Sequence, residues 1–242
     1  MDQKDALKAK IKQNRKAIFE LDGKIEDNRS RIEELRSSAE RDNGSIARNY
    51  TAAFYGNHQL TNRNTEEIFK NRIAILNNMD VDGEVEVNFR ETMINLANVD
   101  FFSHRAEVNQ DVIDINEKLS KVNSLLIEIN QAIMTRNEKS VIFNKTNLET
   151  NKRFLNGEFH PSKATLQANS KRSKENESRC EKLSKAADKN KAKIEKLKAL
   201  GQSNAANVLK NSIEISQRRS RITENQEEVL ADQKQIASTV FN

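Results

Sequence analysis

The chain of 242 residues has one proline, no tryptophan, one cysteine, six glycines and two tyrosines. Each shortage excludes something. With so few proline and glycine punctuators, a fold of many short strands and tight turns is not expected. The single cysteine, Cys180, rules out an intramolecular disulfide and a zinc cluster of several thiolates. Few aromatics and 32% charged residues leave little material for a thick core. No run approaches the roughly 20 apolar residues that a membrane-spanning helix needs. The opening "MDQKDALKAKIKQNRKA" is charged from its start and lacks the apolar centre of a secretory signal. A virion location if the chain is phage-encoded, a cytoplasmic one otherwise, and no secretion through a signal peptide are the corresponding expectations.

What is abundant is asparagine, on a fixed period. It stands at 109, 116, 123, 130, 137, 144 and 151, every seventh residue. Asparagine makes up about an eighth of the chain, so seven successive hits in one phase have a chance of roughly one in a million. Shifted phases carry the pattern elsewhere: Asn14 and Asn28; Asn43, Asn57, Asn64, Asn71 and Asn78; Asn169, Asn176, Asn190, Asn204, Asn211 and Asn225. Three residues before these positions runs a mostly β-branched or small series. It includes Ile11, Ile18, Ile25 and Ile32, then Ile113, Ser120, Ile127 and Met134, and finally Val208, Ile215, Ile222, Val229 and Ile236. Alternate spacings of three and four place both series on one stripe of a helix.

The phase shifts mark candidate breaks. "MDVDGEVEV" around Gly83 and "LNGEFHPSK" with Gly157 and Pro161 are strong ones. The stretch 43–60, with Gly44 and Gly56, is weaker, and Phe54 and Tyr55 there could pack as a plug. The expected fold is therefore all-α: a single elongated helical domain over 1–242, with long helices at about 1–80, 85–156 and 162–240. An up-down-up three-helix bundle is favoured, since short connections join antiparallel neighbours. A parallel trimeric fibre is the alternative.

Three placements of the asparagines are open. They could bridge neighbouring helices, form axial layers, or face water on a flank. A second seam, Ile115, Leu119, Val122, Leu126, Ile129 and Ile133, has the same spacing and is more apolar. In that frame Asn116, Asn123 and Asn130 lie on its flank; Asn137 and Asn144 continue the asparagine row as candidate register layers.

The units "IKQN" at 11–14, "IEDN" at 25–28, "IFKN" at 68–71 and "IEIN" at 127–130 resemble the Ile-x-x-Asn layers of trimeric coiled-coil fibres, such as adhesin stalks and certain phage fibres. The resemblance is to a packing motif. It implies that Asn14, Asn28, Asn71 and Asn130 are inward-facing layers that fix register. The threonine usual after such an asparagine is missing at all four.

Residues 162–200 hold twelve basic and five acidic side chains. The lysines are read as encircling the helix, with Lys171, Arg172, Lys182, Lys189 and Lys193 as possible contacts to phosphate or an acidic partner. Val240 and Phe241, near the last residue, form a possible docking end. No phosphate loop, nucleophile elbow, metal-ligand cluster or cofactor motif occurs, so no catalytic, cofactor or metal residue is nominated. The function expected is that of a non-enzymatic structural or assembly protein, a rod or fibre subunit, most specifically a phage virion component. Its partners would be other structural proteins, and possibly further copies of itself. A basic binding module for nucleic acid or an acidic surface, or an intracellular cytoskeletal scaffold, are the alternatives.

Overall fold

The computed structural model describes residues 2–240, without the side chain of Val240. Every long element is a helix. Helix α1 (Gln3–Tyr50) continues through a π-helical segment (Thr51–His58) into α2 (Gln59–Asn77). Helix α3 spans Glu84–Leu155, a short 3-10 turn covers Pro161–Lys163, and α4 spans Leu166–Val240. The chain is all-α, and no strand occurs among the described residues.

The ends of α3 follow from local chemistry. Glu84 and Glu86 lie in its first turn and Lys152 and Arg153 in its last, each sign complementing the helix dipole. Gly157 has φ 72°, the left-handed conformation that glycine adopts without strain. Its N–H donates to the Phe154 carbonyl at 3.1 Å, and the Glu158 N–H donates to Arg153 at 3.1 Å, so the orphan carbonyls are capped. The Phe154 and Phe159 rings pack 4.5 Å apart over this turn. The next helix is capped in turn by the Thr165 hydroxyl, which accepts from the Ala168 N–H at 3.1 Å.

The chain divides into two compact units. The first takes Met1–Ile46 and Asn137–Leu209. Here α1 buries Asn14, Leu21 and Asn28, seven residues apart, against Ser173, Cys180, Ala187 and Ile194 of α4, also seven apart. The residue numbers rise together, so these two stretches run parallel. Small residues on α4 let the backbones come close, as tight helix pairs require. Cys180 is the small buried thiol in this row.

The second unit takes Ala47–Arg136 and Lys210–Asn242. Asn57, Asn64, Asn71 and Leu76 are buried, with Val229 opposite on α4. Helix α3 folds back on α2: Phe69 stacks on Phe101 at 4.3 Å and Arg72 reaches Asp100 at 3.7 Å, in antiparallel order. Ala97 is buried beside this contact.

The expected interruption at 43–60 is no break in the helix. It is the π segment, and it explains the asparagine phase shift. An i→i+5 turn holds one more residue than an i→i+4 turn. In the first unit, ladder partners differ by 159 in residue number; in the second they differ by 158. The surplus residue falls between Asn49 and Asn57, where the helix is π. The pattern before it is 14, 21, 28, 35, 42 and 49, so Asn43, grouped with the later phase by sequence, belongs to neither and is exposed. Phe54 and Tyr55 form no buried plug: Tyr55 is exposed, and Phe54 stacks between Tyr50 and His58.

Candidate functional site: the asparagine ladder

The side-chain amide of an asparagine sits too close to its own backbone to reach across a wide interface. Asn14, Asn28, Asn57, Asn64 and Asn71 nevertheless meet the partner main chain. In the first unit Asn14 Nδ2 donates to the Ser173 carbonyl at 2.7 Å and its hydroxyl at 3.1 Å, and Asn28 Nδ2 donates to the Ala187 carbonyl at 2.9 Å. In the second, Asn57, Asn64 and Asn71 donate to the carbonyls of Ile215, Ile222 and Val229 at 3.0, 2.9 and 3.2 Å. Each acceptor is a helical carbonyl, which has a second lone pair to share. A buried bond of this kind contributes about 1 kcal/mol net, and a slipped register would strand the amide at greater cost. The ladder therefore acts more on alignment than on total stability. Asn28 Oδ1 is buried with no partner, a cost accepted at that rung.

Ion pairs flank the rungs of the first unit. Lys10 meets Glu177 at 2.6 Å, Lys24 meets Asp188 and the Ser184 hydroxyl at 2.9 Å, and Arg31 joins Glu195. The carboxylate of Asp27, which bonds the Arg31 guanidinium, raises the arginine's pKa. In the second unit Glu67 is held below the ordinary carboxylate range, chiefly by its hydrogen bond from Lys70, and Gln233 of α4 also donates to it at 2.8 Å. Pairs this exposed add little stability.

Their second effect is on α4 itself. Acidic residues stand one position after the buried row at Glu181, Asp188 and Glu195, on the flank toward α1. Lys182, Lys189 and Lys196 stand two positions after it, and Lys171 and Lys185 two before, about 150° around the helix from the ladder. Arg172, Arg179 and Lys193 border them. Lys171, Arg172, Arg179, Lys182, Lys185, Lys189, Lys193 and Lys196 form an outward face between 171 and 196 whose only acid is Glu175, and Lys171, Arg172, Lys182, Lys189 and Lys193 are all exposed on it; Lys174 and Lys191 lie off this face, and Lys191 comes within 4.0 Å of Asp27 of α1.

In the first unit the heptad positions 21 and 35 are filled by leucine and carry no amide, and position 42 is polar but is not asparagine. The heptad places Asp42 opposite Gly201. A carboxylate has no hydrogen to give a carbonyl, and glycine offers no side chain to pack. A cleft of about 1090 Å³ opens there, lined by α1 from Asp27 to Ile46 and by α4 from Asn190 to Asn204.

The other nominated residues do not come together within the chain. Asn116, Asn123 and Asn130 in the second unit, and Asn137 and Asn144 in the first, are exposed and bridge to no neighbour. The seam Ile115, Val122, Leu126, Ile129 and Ile133 is exposed too, and Leu119 is half-buried. Every residue from 120 to 139 is exposed, so α3 lacks a second helix to accept its amides there. Most asparagines of the α4 series share this fate: Asn176, Asn190, Asn204, Asn211 and Asn225 are exposed, and Asn169 is half-buried. On α1 the isoleucine series is about half exposed, 45% at Ile11 and 51% at Ile32, so the two series do not share one buried stripe. Phe241 lies outside the described residues, as does the side chain of Val240.

The acceptors Ser173 and Ala187 were missed because they are not β-branched. Their signal is the unbroken heptad Ser173, Cys180, Ala187, Ile194. Among the described residues no group of three or more His, Cys, Asp or Glu could hold a metal ion, and no helix is long and apolar enough to cross a membrane. Comparison with protein-family models, curated proteins and solved structures finds no match.

Proposed function

We propose that this all-α chain is a non-enzymatic structural protein, a helical subunit built to join a larger assembly, with a phage virion part (neck, tail, fibre or capsid-associated) as its most specific setting. One observation carries the reading: residues 120–139 of α3 keep a heptad of asparagine and large apolar side chains entirely exposed. Singly exposed apolar residues are ordinary, but a periodic row of them marks an interaction surface. The Ile-x-x-Asn units supply the analogy with fibres. Light scattering on the full chain tests the assembly. A mass that is a multiple of 27.7 kDa is expected, and a monomer at every concentration contradicts it. The setting is tested by mass spectrometry of purified phage particles, which should contain the protein at fixed stoichiometry.

The basic outer face of α4 favours a second reading, contact with a phosphate backbone or another acidic surface. The first unit holds 27 basic and 18 acidic residues, against 14 and 18 in the second, so positive charge is concentrated where that face lies. Binding to a labelled 30-base-pair duplex should weaken at least tenfold between 50 and 200 mM salt if several phosphates are neutralised. No binding at 50 mM salt rejects it.

A further inference from the structure

Each helix with the repeat has two edges, an asparagine edge and, three residues earlier, a β-branched or small edge. In the first unit α1 uses its asparagine edge and α4 its small edge. The opposite edges remain free, and both reach the cleft. Ile32, Ala39 and Ile46 of α1 line one wall, and Asn190, Leu197 and Asn204 of α4 line the other. A third helix running in the same sense would complete the cycle. Its asparagines would donate to carbonyls of the α1 edge, and its β-branched edge would receive Asn190 and Asn204.

We propose that this cleft is the docking groove for α3 of a second copy of the chain. The inference rests on the assembly reading above and names its surface. Helix α3 is the element that carries both edges exposed over the needed length, with Asn123, Asn130 and Asn137 on one and Ser120, Ile127 and Met134 on the other. The surface area argues the same way. A folded monomer of this mass exposes about 11,000 Å². The chain exposes 19290 Å². The surplus, about 8,000 Å², exceeds the 2,000–5,000 Å² that obligate dimers bury. The cleft has as many acidic as basic side chains along its walls, so it holds no net charge to attract a nucleic acid. Spread over the roughly 30 Å of helix from 27 to 46, its volume admits a row of side chains, which is what a docking helix inserts.

The test uses the full chain and the double variant Met134→Glu/Val141→Glu. Both side chains are exposed in the chain, 69% and 59%, so helicity by circular dichroism should not change. The variant should fall from a multimeric mass to 27.7 kDa. In a second measurement, a benzophenone side chain at position 134 is mixed with ¹⁵N-labelled copies and irradiated. Crosslinks to residues 27–46 or 190–204 of the labelled copy are expected. A variant that keeps the wild-type mass, or crosslinks that map to α3 of the labelled copy, overturns the groove and leaves the assembly reading standing. A wild-type chain that is always monomeric overturns both.

Discussion

Asn71 and Asn130 end the same local word, "IFKN" in one case and "IEIN" in the other, and both lie in the second unit. Asn71 is buried and donates to the Val229 carbonyl; Asn130 is exposed. The difference lies in the partner. Asn71 faces a parallel helix whose β-branched row advances at the same heptad, so each amide meets a carbonyl in turn. Asn130 has no such row beside it within the chain. A periodic polar residue thus announces an edge that is able to bond, and only the neighbouring helix decides whether the bond is made.

The sharpest way to break the ladder is to change its count. Deleting Gln202 from α4 rotates one side of that helix by about 100° relative to the other. One set of rungs then loses its acceptors, and unfolding free energy should drop by more than about 4 kcal/mol in urea titrations. Deleting Tyr55 should be far milder. It removes the surplus residue of the π segment, brings both units to one offset and preserves the rungs at Asn14, Asn28, Asn57, Asn64 and Asn71. The loss should be limited to aromatic contacts, about 1–2 kcal/mol. Equal damage from the two deletions would refute the one-residue account of the π segment.

A gentler comparison sets buried against exposed amides, in the Met134→Glu/Val141→Glu background to remove assembly. Asn64→Ala with Asn71→Ala should cost about 2–4 kcal/mol by thermal or chemical unfolding, from lost bonds and small cavities. Asn123→Ala with Asn130→Ala should lie within about 0.5 kcal/mol of the parent, with alanine's helix propensity favouring a slight gain. The smallest effect is a gain. Asp42→Asn supplies an amide donor opposite Gly201 and should stabilise the chain by about 1 kcal/mol. No change, or a loss, would mean that the cleft has another origin than the lack of an amide at position 42.

Much of the architecture was legible because helix formation here is local. The scarcity of breakers, the break at Gly83 and the Asn156-Gly157 stop are all short-range signals, and helix ends at Asn77, Glu84 and Leu155 fall beside them. The heptad showed which residues could pair. It could not show which edge of each helix would be used. Asn14, Asn28 and Asn71 were nominated and are bonded, whereas Asn116 to Asn144 carry the clearest periodicity and are exposed. A single sequence does not record which rows face each other. The stretch 43–60 reads as a weak interruption of the first helix because a phase shift of one residue looks the same whether the helix stops or merely widens. Lys171, Arg172, Lys182, Lys189 and Lys193 are candidate contacts by sequence, but a count of lysines does not show their direction; once Ser173, Cys180 and Ala187 define the inside, the outside follows.

The most direct test of the ladder is hydrogen exchange at the asparagine side-chain amides, followed by NMR on ¹⁵N-asparagine-labelled Met134→Glu/Val141→Glu protein. The amide hydrogens of Asn14, Asn28, Asn57, Asn64 and Asn71 should exchange at least about tenfold more slowly than those of Asn116, Asn123 and Asn130. Uniformly fast exchange across both groups would contradict the claim that these five amides hold the helices in register.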